Sequence, residues 1–384
     1  MDLLPTSLGT RPRLAVEIRP EGVVAARSED ALAIVSAVAY DELAEGVIVP
    51  ALKPGNIAVR AAAVTAVRKA LEAVALKERD TTLVLPDAAV RVLLLDFDSL
   101  PPKTAEALSV VRFRLKKLLP FEADDAVISY QVMSSNKSGV RVLAVAIPRD
   151  VLAEYESLVR EAGFEPGAVL PSTLAACAGM PEIDTSTLLV NAGDCSVTTA
   201  IVQGGVLLLH RTVDLQAEGL HERVMAAAQA AAEAAEPSLP LVDAAASAGE
   251  WAMQEPLNGY GVLDDSHIQA RADHLASKIL ADPAINLEVE IEARTHTAIE
   301  REVTQAVSVA AAYFEDTLAS APGVVLAAGT MGAEMLGRLL RQAGFGDGEI
   351  RVREMIEPAM LGAGASGTRV PHGWMAGVRG ALRS

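Results

Sequence analysis

Leu14-Ala15-Val16-Glu17-Ile18-Arg19-Pro20-Glu21-Gly22-Val23-Val24-Ala25-Ala26 lies over Leu188-Leu189-Val190-Asn191-Ala192-Gly193-Asp194-Cys195-Ser196-Val197-Thr198-Thr199-Ala200 at a constant offset, since 188 − 14 and 200 − 26 both give 174. Each copy reads as a strand, a tight turn and a second strand. A third strand follows each, Ala31 to Val38 after the first and Val206 to Thr212 after the second. A repeat at so long a spacing predicts two similar lobes with a cleft between them.

Outward from the first copy, Val59 to Ala75 is periodic and apolar, with Arg68 and Lys69 on its outer face, and reads as a helix. Thr82 to Leu85 and Val90 to Phe97 read as strands. Lys103 to Leu119 predicts an amphipathic helix, with Ala105, Leu108, Val111, Leu115 and Leu118 on one face, ended by Pro120. Strands at Ile128 to Met133 and Val140 to Ile147 flank the polar loop Ser134 to Gly139. The helix Val151 to Ala162 stops at Gly163, and a strand follows at Ala168 to Leu170. Residues 81–166 therefore read as an inserted α+β module within a first lobe that starts at 11–80, and 167–214 opens the second lobe. Residues 215–300 are Ala/Glu-rich and read as a helical subdomain, broken by Pro237, Pro240, Pro256 and Pro283. Residues 301–384 complete the second lobe. They comprise a buried strand Gly323 to Ala328 and a helix Met331 to Ala343 that Gly344 stops, then, after Arg351 to Met355, a glycine-rich loop Gly362 to Gly367 and a terminal helix Gly373 to Arg383.

The 384 residues suffice for two or more domains. With 51% hydrophobic residues but only 3% aromatic, the core must be aliphatic. A net charge of −17 argues against nucleic acid as the main partner, because neutralising phosphates needs a basic surface. Cys177 and Cys195 sit in no metal-ligand pattern and fit free thiols of a reducing cytoplasm. Met1 to Thr10 lacks the basic start and apolar run of a signal peptide, and no apolar stretch reaches the roughly 20 residues of a membrane helix. The expectation is a cytoplasmic protein that meets a membrane only through partners.

The chemistry-bearing positions are few. If a ligand sits in the cleft, the two equivalent hairpin turns and the strand-to-helix junction Ala327-Ala328-Gly329-Thr330 are where small residues and unpaired N–H groups would meet it. A plain packing turn is the other reading of that junction. His267, His274 and His296 are too widely spaced for a ligand pair on one helix face, and no metal site is expected. No Gly-x-Ser-x-Gly frames Ser196 near His210, and no Walker-type phosphate loop occurs, so no catalytic residue is assigned. Arg112, Arg114, Lys116 and Lys117, followed by Glu122, Asp124 and Asp125, read either as a solvated helix face or as a docking surface for an acidic partner or a membrane.

The order of elements resembles the type IV pilus assembly protein PilM family of the actin-like ATPase superfamily, related to the cell-division protein FtsA. The likeness rests on the hairpin Leu14 to Ala26; on the helix that runs through Val111 to Leu119 into Pro120-Phe121 and on to the strand Ile128 to Val132; on Val142 to Pro148 with Val151 to Phe164 and the ending Ala162 to Pro166; and on Val324 to Gly344 with a terminal helix. It implies an actin-like, ribonuclease H-like two-lobed α/β fold with an inserted module. It also implies ATP with magnesium between the lobes, a grip on the N-terminal cytoplasmic peptide of a PilN-like inner-membrane protein, and coupling to pilus motor components. By the same resemblance the cleft residues are Glu17, Arg19, Asn191, Gly193, Ala328, Gly329 and Thr330. The family's phosphate turns are Asp-x-Gly; here they are Glu17-Ile18-Arg19 and Asn191-Ala192-Gly193, and the Gly-Gly base turn is Ala328-Gly329. A side chain at Arg19 crowds a phosphate, although its guanidinium could pair with one, and losing the second carboxylate weakens a magnesium site. The departures favour a scaffold with a degenerate cleft. An active ATPase or sugar-kinase-like enzyme of the same superfold, or an FtsA-like membrane tether, are the alternatives.

Overall fold

A computed structural model describes residues 12–29, 33–137, 139–181, 185–215, 299–318, 322–342, 351–365 and 370–383. The predicted helical subdomain falls almost wholly outside the described residues, as do the three histidines it contains.

Two five-stranded sheets share one topology. In the first, β1 (Leu14–Ile18), β2 (Gly22–Ser28), β3 (Val35–Glu42), β4 (Asp80–Leu85) and β8 (Glu165–Pro171) lie in the order β3-β2-β1-β4-β8. In the second, β9 (Thr187–Ala192), β10 (Ser196–Gln203), β11 (Val206–Asp214), β12 (Val324–Gly329) and β13 (Val352–Glu354) lie in the order β11-β10-β9-β12-β13. The repeat extends to the register. Leu14 opposes Arg27 as Leu188 opposes Ile201, and Glu17 lies beside Val84 as Asn191 lies beside Ala328. Both pairs keep the offset of 174 on the β1 and β9 side. The third strand of the first copy runs later than its sequence suggests, over Val35–Glu42, because β2 pairs along its whole length from Gly22↔Glu42 to Ser28↔Val35.

Strand alternation decides which side chains enter the cleft, since neighbouring residues point to opposite faces. Leu14, Val16 and Ile18 of β1 pack outward against α1 (Arg60–Val74) and α3 (Arg149–Glu161). Ala15 points inward, and Glu17 shares its face. In β9, Leu188, Val190 and Ala192 pack outward against α5 (residues 299–313) and α6 (Ala333–Gln342), while Leu189 and Asn191 face inward. Between the sheets lie two short helices, α4 (Ser172–Ala178) and α7 (Ala376–Leu382), in a core that draws Ala15, Val24 and Val84 from one sheet and Leu189, Leu326 and Ala328 from the other. The sequence reading of a terminal helix is met by a 3₁₀ turn, His372–Met375, leading into α7. Every residue of α7 is buried, so this segment has no free face for a membrane tether.

The inserted module is smaller than the sequence division 81–166. β4, α3 and β8 belong to the first lobe, because β4 pairs with β1 and with β8. The separate part is the three-stranded sheet β5-β7-β6, from β5 (Arg91–Phe97), β6 (Ala126–Asn136) and β7 (Gly139–Pro148), with α2 (Thr104–Leu115) on one face. The predicted stripe on α2 is also corrected. Ala107, Val111 and Leu115 are buried, whereas Ala105 and Leu118 are exposed and Leu108 is half-buried. The helix ends before Pro120 because the chain tightens after Leu115, where Leu118 N–H donates to the Leu115 carbonyl at 2.9 Å. Part of the basic run is structural. Arg112 donates to the Ala123 and Ala126 carbonyls, and Lys116 pairs with Asp124 at 2.6 Å. Gly163, at φ 93°, stops α3 in the left-handed conformation that glycine adopts without strain. Among the described residues no helix is long and apolar enough to cross a membrane.

Candidate functional site

The inward alternation of β1 and β9 brings Glu17 and Asn191 to the floor of the cleft, and the turn after β1 adds Arg19. All three are buried, at 0%, 6% and 6% exposure. Arg19 is the hub. Its Nε donates to Glu17 Oε1 at 2.7 Å, and one Nη donates to Asn191 Oδ1 at 2.9 Å and to Ser172 Oγ at 3.2 Å. Ser172 Oγ in turn donates to Glu17 Oε1 at 2.6 Å. Burial alone would pull the guanidinium's pKa down, but Glu17, Glu21 and Asp87 outweigh it and push the value up, so Arg19 stays charged.

The network continues into residues that the sequence reading did not single out. Asn191 Nδ2 donates to Ser172 Oγ and Thr173 Oγ1, both at 2.9 Å, and to Asp87 Oδ2 at 3.3 Å. Asp87 accepts from the Thr173 hydroxyl at 2.5 Å and the Thr173 amide at 3.1 Å. Asp87 follows β4, and Ser172 and Thr173 follow β8. Both sit just past the carboxyl ends of parallel strands, where open α/β sheets place their sites. Pro86-Asp87 and Pro171-Ser172-Thr173, each directly after a strand, were the available signal.

The second turn is also engaged by the first. Glu21 Oε1 accepts from the Asp194 amide at 2.6 Å, and a β-carbon on Gly193 would sit 2.6 Å from that same oxygen. Glu21 thus lies on a backbone N–H of the second hairpin turn. Tyr40 stands beside this carboxylate; its hydroxyl donates to the Glu21 carbonyl at 3.2 Å. Burial, with Glu42 and Glu21, pushes Tyr40 up to about 12. The thiols are equally closed off: burial pushes Cys177 up to about 12 and raises Cys195, so neither is a ready nucleophile.

The third turn is packed against the chain itself. Gly329 has φ 86°, and a β-carbon there would lie 2.0 Å from the Ala192 carbonyl oxygen. Thr330 N–H donates to that carbonyl at 2.7 Å, and Ala328 is buried in the core between the sheets. Gly373 closes over the same turn, with room for no side chain against the Gly329 carbonyl. The N-terminus of α6 is taken by Glu354, whose Oε1 accepts from the Ala333 amide at 2.6 Å.

The structure therefore brings Glu17, Arg19, Asn191 and Gly193 together and sets Ala328, Gly329 and Thr330 against β9. The cavity among Arg19, Glu21, Asp87, Ser172 and Asn191 has room of about 20 Å³. That holds about one water, whereas ligand pockets run to about 300–1,000 Å³. The residues present do not fit Mg-ATP. An arginine stands where a metal would need carboxylates, and the turn amides are already engaged: Asp194 and Ala333 by the carboxylates of Glu21 and Glu354, Thr330 and Gly193 by the backbone carbonyls of Ala192 and Ser196. Among the described residues no group of three or more His, Cys, Asp or Glu side chains gathers as metal ligands.

No protein-family model and no curated protein matches the chain. Solved structures do. A chain of the PilM-PilN type IV pilus biogenesis complex superposes with a TM-score of 0.62 at 16% identity, over 97% of this chain and 98% of that one. Looser matches include the ethanolamine utilization protein EutJ from Carboxydothermus hydrogenoformans, with a TM-score of 0.42 at 11% identity over 100% and 91%. Another is the cytoplasmic domain of EpsL, an inner-membrane component of the type II secretion system of Vibrio cholerae, with a TM-score of 0.36 at 15% identity over 55% and 74%. With its duplicated sheets and matching hairpin registers, this chain has the two-lobed actin-like fold.

Proposed function

We propose that this chain is a cytoplasmic, actin-like scaffold of an inner-membrane complex that builds a type IV pilus or a related secretion machine. It holds the N-terminal cytoplasmic peptide of a PilN-like membrane protein, links it to motor components, and turns over no ATP. The partner class follows from the whole-chain likeness to a chain of the PilM-PilN complex. The observation that carries the scaffold reading is the Arg19 guanidinium, fixed at 2.7 Å from Glu17 and 2.9 Å from Asn191 on the cleft floor. An enzyme of this superfold needs that floor open to a phosphate and its metal.

Calorimetric titration tests the reading. The chain is titrated in turn with Mg-ATP and with the N-terminal cytoplasmic peptide of a PilN-like inner-membrane protein, and phosphate release is followed. Saturable binding of the peptide, no heat from millimolar Mg-ATP and no phosphate release are expected. Micromolar Mg-ATP binding with phosphate release, abolished in Glu17→Ala, would establish the enzyme instead.

A further inference from the structure

A second candidate site lies on the far edge of the second sheet. A groove of about 500 Å³ runs between α6 and β13, lined by Glu334, Gly337 and Arg341 from the helix and Arg351, Val352 and Arg353 from the strand. All three arginines are exposed, and among the described residues none of their guanidinium groups has an ion pair or hydrogen bond. Three guanidinium groups without an ion pair among the described residues, Arg341 on the helix side and Arg351 and Arg353 on the other face of β13, concentrate positive charge about this strand edge on a chain of net charge −17. Glu334 is the one carboxylate among the lining residues.

Among the described residues the groove also has an open backbone edge. β13 ends the sheet and pairs only with β12 among the described strands. The Arg351 carbonyl accepts from Val325 N–H at 3.0 Å, and Met355 N–H donates to the Ala327 carbonyl at 2.9 Å. In a parallel ladder the odd residues of this strand therefore bond to β12, and the even ones, Val352 and Glu354, turn their amides and carbonyls outward. Side chains alternate in the same way. Val352 approaches Gly337 of α6, within 3.6 Å of where a β-carbon would stand, so Arg351 and Arg353 point to the opposite face.

We propose that this groove docks an acidic peptide in extended conformation, added to the second sheet as a strand beside β13. Backbone pairing with Val352 and Glu354 supplies affinity, and alternate side chains supply specificity. Carboxylates at every second position meet Arg351 and Arg353, where planar guanidinium groups bind them bidentately. The intervening residues are apolar and face Val352 and the bare backbone of Gly337. The site meets the cleft only at Glu354, which it uses through the backbone, and it does not rest on the scaffold reading.

The probe is a fluorescent decapeptide of alternating Glu and Val, titrated against the full chain at low salt, with an alternating Lys and Val decapeptide and inorganic polyphosphate as comparisons. The Glu peptide is expected to bind and to protect the Val352 and Glu354 amides from hydrogen exchange. Arg351→Glu with Arg353→Glu weakens it by about tenfold or more, and Arg341→Gln weakens it by a smaller factor. All three positions are exposed, so the variants are expected to keep the wild-type far-UV circular dichroism. Equal affinity for the Lys peptide, equal affinity of the double variant, or binding without amide protection would each overturn the proposal. So would polyphosphate displacing the Glu peptide at equal charge, which would mark a phosphate site. If the arginines serve only to keep a bare strand edge soluble, no Glu peptide binds, and the proposal fails outright.

Discussion

At the scale of single residues the cleft turns on Arg19. A buried ion pair is weak testimony to stability, because burying both charges costs about as much as their attraction returns, but removing one partner strands the other. Glu17 is 0% exposed, and among the described residues its Oε2 has no hydrogen-bond partner, so it depends on Arg19 and Ser172 acting through Oε1. Arg19→Met is therefore expected to destabilise the protein by about 3–5 kcal/mol, while Glu17→Gln combined with Arg19→Met recovers most of that loss. Urea midpoints of the wild type, the two single variants and the double variant give the coupling directly. If the double variant is as unstable as Arg19→Met alone, the guanidinium acts through packing and not through its charge. The same reasoning gives Glu21 its place, since its carboxylate crosses from the first turn to the Asp194 amide of the second.

At the scale of elements the decisive contact is between α4 and α7, the two short helices between the sheets. They touch backbone to backbone at Gly380, where a β-carbon would sit 1.7 Å from the Ala175 carbonyl oxygen; Gly377 instead makes room for the Glu17 side chain of β1, whose Oε2 would lie 2.3 Å from a β-carbon there. Replacing a helical glycine by alanine normally gains about 1 kcal/mol of helix propensity. Here the added methyl must push α7 away from α4, and overpacking of that kind costs about 1–3 kcal/mol or more. Gly380→Ala is expected to lower the thermal midpoint, read by circular dichroism; an unchanged or raised midpoint would show that α7 is held loosely. This contact also marks what the sequence could and could not convey. The paired hairpins were legible because alternation and the offset of 174 are local, repeated signals. The terminal helix was legible as a helix, but nothing local showed that Gly377 and Gly380 are the condition for its close packing. Asp87, Ser172 and Thr173 were missed because nothing local joins them; they meet only when β4 and β8 pair in parallel, 86 residues apart between Asp87 and Thr173. The module boundary slipped for the same reason, since the long-range β1–β4 pairing assigns Asp80–Leu85 to the first lobe.

At the scale of the whole molecule the question is whether the lobes behave as two bodies or one. In a nucleotide-operated member of this fold the lobes would be joined by a ligand; here they are joined by the chain. Arg19 to Asn191 and Glu21 to Asp194 span the cleft, and the apolar layer beneath takes residues from both sheets and from α4 and α7. Such shared burial makes the lobes one cooperative unit, because neither can open without exposing the other's core. Trp374 reports on that layer. It is 8% exposed, packs edge-to-face on Tyr40 of the first sheet at 4.8 Å between ring centroids, and lies in the turn that covers Gly329 of the second. The chain has two tryptophans, so Trp251→Phe leaves Trp374 as the sole indole. Its fluorescence in urea is expected to change over the same range as far-UV circular dichroism, with one midpoint and one slope, and millimolar Mg-ATP should shift neither. A Trp374 transition at clearly lower urea would mean that the lobes part before they unfold. Stabilisation by Mg-ATP would mean that the cleft opens to admit it, because a ligand shifts the midpoint only by binding the folded state.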